Sequence, residues 1–247
     1  RLVYVRHDQN RHVSAARNTG LDIARGNFVA YLDDDDEWLP SKLEEQLALF
    51  ADANETVGLV YCWMDYVDSS GSVVRHHRPE LRGRVLDQIL DQQKLGSCST
   101  LLVRTSAARA IGGFDETLPR GNDGDFIRRV ARDHEVDFVA ESLVRYHVGH
   151  ESTRITNQTT DGLRKGLNGL QVKLRKFAPE LKRNPRAKSD ILSRIACTQV
   201  LLGDWRAAAA SIGQSAQTNP TNLRGYARFL RACVSRLRIR SASKQTA

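Results

Sequence analysis

The chain has 247 residues, 40% of them hydrophobic, and carries 37 Lys and Arg against 29 Asp and Glu, a formal net charge of +8. That length suits one large α/β domain with an appendage. No apolar run reaches about 18 residues, which excludes a membrane-spanning helix, and Cys62, Cys98, Cys197 and Cys233 lack CxxC spacing, which fits reduced cytosolic thiols better than a zinc site or a disulfide framework.

The charge is uneven. Residues 161–247 hold 18 Lys and Arg against 4 Asp and Glu, and residues 1–160 hold 19 against 25. An acidic first part and a basic second part suggest two jobs. A basic tail meets an anionic membrane surface, an acidic partner or nucleic acid. No nucleic-acid-binding motif occurs and the aromatics are not interleaved with the basic residues, so nucleic acid is not an expected partner.

In chain order, Leu2-Val3-Tyr4-Val5 predicts a strand. Residues 13–24 predict a helix whose small residues, Val13, Ala16 and Gly20, recur at helical spacing and suit close packing on a sheet, with Gly26 ending it. Val29-Ala30-Tyr31-Leu32 then reads as a buried strand running into Asp33-Asp34-Asp35-Asp36-Glu37-Trp38. The acids are thereby placed at the carboxyl end of a strand, where open α/β sheets bind ligands. Four adjacent like charges repel, and Mg²⁺ or Mn²⁺ would relieve the repulsion because both prefer carboxylate oxygens. An acidic turn complementing the start of the next helix explains the four acids equally well. Ser41, with Glu44 three residues on, predicts a capping box for that helix. Residues 2–50 therefore read β-α-β-α, which implies a mostly parallel sheet.

Residues 57–64 read as another buried strand, followed by a turn at 69–72, a return strand at Val73-Val74 and a short amphipathic helix at 84–93. His76 and His77 are adjacent on a strand, point to opposite faces and so do not share one ion. Residues 99–103 form the next predicted strand, Gly112-Gly113 a loop, and Asp123 opens a helix, where an N-cap role is the ordinary explanation. Asp125 and Arg129 have the spacing of a helix ion pair. Two short strands are expected between Val136 and Val148.

The run SAARNTGLDIARGNFVAYLDDDDEWLPSKLEEQLALF, residues 14–50, resembles the family 2 glycosyltransferases in its ARN-x-G, its A-x-G, its strand ending in an acidic cluster and its W-x-P-x-K-L. The resemblance implies an α/β GT-A fold, a nucleotide-sugar donor, a saccharide or lipid-linked acceptor and an inverting, Mn²⁺- or Mg²⁺-dependent transfer, of the kind used in cell-surface polysaccharide synthesis. It implies a metal held by Asp35 with Asp33, and donor contacts from Asp34, Arg17 and Asn18. Trp38 and the loop of Gly113 and Asp115 frame the acceptor. The segment GGFDE, residues 112–116, precedes the family's acidic motif, in which Asp123 takes the place of the catalytic base and Asn122 replaces the usual Glu. A later Y-x-x-x-H-type segment puts His150 within reach of the metal or the donor phosphates. The family also begins with a strand, a helix and a second strand that this sequence enters after, so it reads as an N-terminally truncated member. A non-catalytic scaffold with a degenerate transferase domain is the alternative.

After about residue 155 the strand signals stop. The expected division is a GT-A domain over 1–155 and a basic helical extension over 156–247. Residues 191–222 are similar to one tetratricopeptide repeat, with the turn Gly203-Asp204-Trp205 and the terminal Pro220. The tail from Tyr226 to Arg240 mixes apolar residues with arginines and has no acid. It is expected to meet a membrane surface or a protein partner. The expected location is the cytoplasm, or the inner face of the membrane.

Overall fold

A computed structural model of the chain describes residues 2–148 and 159–245, with side chains described as far as 237. The chain forms two compact units. One contains residues 1–86 and 93–150, the other 87–92 and 151–247. The division expected at 155/156 falls outside the described residues.

In the first unit, α1 (His12–Ile23) buries Ser14, Ala15 and Leu21. Strand β1 (Phe28–Ala30) follows, and then β2 (Asp36–Trp38), α2 (Lys42–Asp52), β3 (Val57–Val67) and β4 (Val73–His77). Next come α3 (Leu86–Ile89), all but its first residue belonging to the second unit, and then a 3-10 turn at Cys98–Thr100, β5 (Leu101–Arg104), α4 (Thr105–Ala110), α5 (Asn122–Asp133) and β6 (Glu135–His147). The six strands form one sheet in the order β1-β5-β3-β6-β2, with β4 paired to β3. Buried on both faces, β3 runs through its centre, and Leu59, Val60, Tyr61 and Cys62 are fully enclosed.

The α/β class is the one expected, with a helical region after it, but the sheet is mixed rather than mostly parallel. Only β3 and β6 pair in parallel; β1–β5, β5–β3, β3–β4 and β2–β6 are antiparallel. The parallel reading counted Leu2–Val5 as a strand. That segment has no strand partner, and its side chains are exposed. A row of β-formers without a ladder to join gains nothing from extension.

Four further local readings change. The acidic run does not follow one strand but lies between two: Asp36 already belongs to β2, opposite Tyr146 of β6. Residues 98–100 coil into a 3-10 turn instead of extending the next strand. Residues 135–147 make one strand, whose register against β3 slips at Cys62 and Trp63, instead of two strands. Ser41 occupies the N-cap of α2, but its backbone is already helical and its hydroxyl makes no capping bond. Instead α2 is tied to the sheet by Gln46, which is fully buried and whose amide donates to the Val60 and Thr100 carbonyls at 3.2 and 2.9 Å.

The second unit is helical: α6 (Thr160–Lys176), α7 (Ala178–Arg183), α8 (Pro185–Leu202), α9 (Trp205–Thr218) and α10 (Leu223–Gln245). Gly203 ends α8 at φ 89°, a left-handed conformation suited to glycine, and Asp204 caps α9 by accepting from the Ala207 N–H at 3.0 Å. Helices α8 and α9 approach closely where Ser189 faces Ser215. The two hydroxyls lie 2.8 Å apart, and each donates to the other residue's carbonyl, at 3.0 and 2.8 Å. Both serines are fully buried, so a larger side chain has nowhere to go. Ser215→Leu is expected to destabilise the helical unit by about 1–3 kcal/mol, the usual cost of overpacking. A far-UV melt reads this as a lowered helical transition; an unchanged melt would mean that the two helices separate freely here.

Candidate active site

Two carboxylates from distant parts of the first unit meet on one guanidinium. Arg17 lies in the middle of α1, on the turn that faces the sheet. Its Nη2 donates to Asp33 Oδ1 and its Nη1 to Asp123 Oδ1, each at 2.5 Å. The Arg17 side chain is only 10% exposed, while Asp33 and Asp123 keep 28% and 31%. The guanidinium also lies 5.1 Å from the centre of the Phe114 ring. That ring stacks on Phe126 at 4.2 Å, and Tyr31 meets both edge-on. An apolar wall on one side and two carboxylates on the other give the charge a single orientation. Burial works against that charge, but neighbouring Cys98, Asp123 and Asp33 together outweigh it and hold Arg17 protonated more firmly than usual.

The acidic turn is fixed by Ser99. Its hydroxyl accepts from the Asp33 N–H at 3.1 Å and donates to Asp36 Oδ2 at 2.5 Å, and its carbonyl accepts from Trp38 Nε1 at 2.8 Å. A backbone bond from the Asp36 N–H to the Asp33 carbonyl closes the turn. Asp34 and Asp35, at its tip, are exposed. Next to Ser99, Cys98 is fully buried beside Asp123. Burial, with Asp123 beside it, pushes that thiol well above its ordinary range, so it stays neutral. The 3-10 turn therefore bonds the acidic turn through Ser99 and places Cys98 beside Asp123. Neither serine nor cysteine there carried a recognisable pattern in the sequence.

The glycine loop before α5 is held from two sides. Asn18, one residue after Arg17, donates to the Phe114 carbonyl and to Glu116 Oε1 and accepts from the Phe114 N–H. From α5, Arg129 pairs with Asp125 at 2.7 Å and donates to the Ile111 and Gly113 carbonyls. The Asp125–Arg129 pair is thus a buried brace for the loop as well as a helix ion pair. Gly112 and Gly113 sit at φ 75° and 67°, which favours glycine at both. Asp115 accepts from the N–H and hydroxyl of Thr117 within the loop.

The N-cap of α5 is Gly121, so Asp123 is the second helical residue and not the cap. Its carboxylate turns to Arg17. Trp38 is anchored through its indole N–H, and the fully buried Lys42 ammonium lies 4.1 Å from its ring centre. His76 contacts Asp65 and His77 contacts the Lys94 carbonyl, so the two rings diverge. His150 lies outside the described residues.

The donor set suits a hard divalent cation: it is made of carboxylate oxygens, and Asp36 Oδ1 is buried without accepting a hydrogen bond. Burial raises the Asp33 carboxyl, with Asp123 and Asp35 adding to it and Arg17 opposing. Burial likewise pushes Asp36 up to about 6 against the Ser99 hydrogen bond, and Asp33 and Asp35 add to the rise. Added positive charge would relieve both. Among the described residues no three His, Cys, Asp or Glu side chains form a ready cage. A magnesium-type site commonly takes one or two protein carboxylates and completes itself with substrate phosphates. Exposed Asp35 beside Asp33 matches that smaller set.

Asp36 yields a test with a definite sign. Its carboxyl titrates at about 6 in the fold against an ordinary 3.8. Between those values the folded chain holds more protons than the unfolded one, so this residue's contribution to stability is lost as pH rises through the window. In metal-free buffer, the wild-type melting temperature is expected to decline from about pH 4 to pH 6 relative to that of Asp36→Asn. Parallel profiles would remove Asp36 as the source.

Residues 1–111 match the family model described as Glycosyl transferase family 2. An uncharacterized glycosyltransferase of Methanocaldococcus jannaschii is 29% identical over 150 residues, covering 60% of this chain and 51% of that protein. A pre-mycofactocin glycosyltransferase of Mycobacterium tuberculosis is 32% identical over 136 residues, covering 50% of this chain and 27% of that one. A solved mannosyltransferase from Pyrobaculum calidifontis, in complex with GDP-Man and Mn²⁺, aligns over 94% of this chain and 68% of its own at 16% identity and a TM-score of 0.47. The chain spans about half the length of the first of these relatives and about a quarter of the second. Residues 1–111 of this chain are thus similar to the family 2 glycosyltransferases, and the helices α6 to α10 follow them in the second unit.

Proposed function

We propose that the protein transfers a sugar from a nucleotide-sugar donor to a hydroxyl of a saccharide or lipid-linked acceptor, with inversion at the anomeric carbon. The observation that carries this reading is the shared Arg17 contact. It joins the acidic turn to the first turn of α5 with both carboxylates partly open to solvent. Asp35, with Asp33, would hold a divalent cation, which when bound offsets charge on the departing nucleoside diphosphate. Asp123 accepts the proton of the acceptor hydroxyl as its oxygen bonds to the anomeric carbon and the carbon–oxygen bond to the diphosphate breaks on the opposite face. Such a base typically contributes ~10²–10⁴-fold. Arg17 orients both carboxylates and so acts as a positioning residue. The loop of Gly113 and Asp115, braced by Asn18 and Arg129, borders the acceptor side.

Two measurements test the reading. Nucleoside diphosphates are expected to raise the melting temperature only when Mn²⁺ is present, and Asp35→Ala to abolish that rise while leaving the unliganded melt close to wild type. Failure of every diphosphate to stabilise the protein, or full Mn²⁺-dependent stabilisation of folded Asp35→Ala, would overturn the metal assignment. Asp123→Asn removes the proton acceptor, so turnover is expected to fall by ~10²-fold or more with diphosphate binding retained. Turnover within a few-fold of wild type would move the base elsewhere.

A further inference from the structure

The last helix has two faces of different character. Inward, Gly225 is buried, the Tyr226 hydroxyl donates to the Asn219 carbonyl at 3.0 Å, and Arg228 pairs with Asp190 at 3.0 Å. Outward, Leu223, Leu230, Val234 and Leu237 are 74%, 64%, 49% and 53% exposed, and Ala227 is exposed with them. Those five positions follow one another at alternating steps of four and three, the spacing of a single apolar seam along a helix. Arg224 and Arg231 flank the seam on the same exposed side, one residue after Leu223 and Leu230. From Leu223 to Gln245 the helix contains no acidic residue.

We infer that this outward face of α10 docks on an anionic lipid surface, with the leucines inserted among the headgroups and the arginines on the lipid phosphates. A second copy of the helix is a poor occupant. Paired through this seam, Arg231 would face Tyr226 of a parallel copy and Arg224 its Asn219, or the arginines would meet each other in an antiparallel one. Neither arrangement supplies a carboxylate. The basic excess also extends beyond α10: residues 161–247 hold 18 Lys and Arg against 4 Asp and Glu. A charged bilayer attracts such a distributed excess as a whole, whereas a single acidic helix would neutralise only the residues flanking the seam. No described helix is long and apolar enough to cross a membrane, so the contact is interfacial, with the helix lying in the plane of the surface.

Co-sedimentation of the 247-residue chain with phosphatidylcholine vesicles, with and without phosphatidylserine, tests the assignment. Binding is expected to require phosphatidylserine and to weaken with added salt. Arg224→Glu with Arg231→Glu is expected to lower the apparent affinity by ~30-fold or more. Leu230→Asp with Val234→Asp is also expected to abolish it. Because all four residues are exposed, the helical circular dichroism and the melt of each variant should match wild type. Absence of wild-type binding to the phosphatidylserine vesicles would overturn the proposal and favour an acidic protein partner. Salt-sensitive binding untouched by the Asp substitutions would overturn the assignment of this face, leaving only diffuse attraction.

Discussion

Arg17 is the constraint on which the candidate site depends. Asp33 and Asp123 carry the same charge and stand on different elements, and without a cation between them their repulsion would push the turn and the helix apart. The guanidinium is planar and forked, so it bonds two carboxylates at once with fixed directions, which a lysine ammonium would not impose. Removing one partner from a buried pair typically costs about 3–5 kcal/mol, because the remaining charge is left uncompensated. Here Asp33 and Asp123 are each about three-tenths exposed, so water screens part of that cost. The aromatic wall of Tyr31, Phe114 and Phe126 is therefore as much a part of the site as the acids. It limits where Arg17 can lie, and so where both carboxylates can point.

A second set of contacts converts this one interaction into a shaped cleft. Ser99 satisfies a backbone N–H of the acidic turn and one oxygen of Asp36, while Cys98 lies buried beside Asp123. Consecutive residues of a 3-10 turn thus register two carboxylate-bearing elements against each other. Asn18 and Arg129 do the same for the glycine loop from opposite sides. Ser99 and Asn18 are short polar side chains that bond to backbone, which holds geometry at little cost in side-chain entropy. The acids at the tip of the turn, Asp34 and Asp35, stay in solvent, where a cation with its own waters can approach.

The helical region is organised by a different physics. Its closest approach, at Ser189 and Ser215, depends on small size and on reciprocal bonds to backbone carbonyls. Its outer helix leaves leucines in water beside arginines. In a soluble surface such a row costs free energy, which an apolar, negatively charged boundary would return.

The sequence by itself determined the α/β class, the helical second region, the family resemblance and the residues that meet in the cleft. Those features rest on local periodicity and on fixed spacings, both of which a single chain displays. It also identified the Asp125–Arg129 pair, because a helix puts residues four apart on one face. Tertiary structure decided what each group touches. Strand direction was misjudged because a run of β-formers such as Leu2–Val5 does not reveal whether a neighbour exists to bond it, and antiparallel pairing of β1 with β5 leaves no local mark. The contact of Asp123 with Arg17 and the bracing by Ser99 and Arg129 were invisible for the same reason: each joins segments well separated in the chain. Spacing along a sequence specifies a helix face or a turn, but only the packed sheet brings a serine, two aspartates and one arginine within hydrogen-bonding distance.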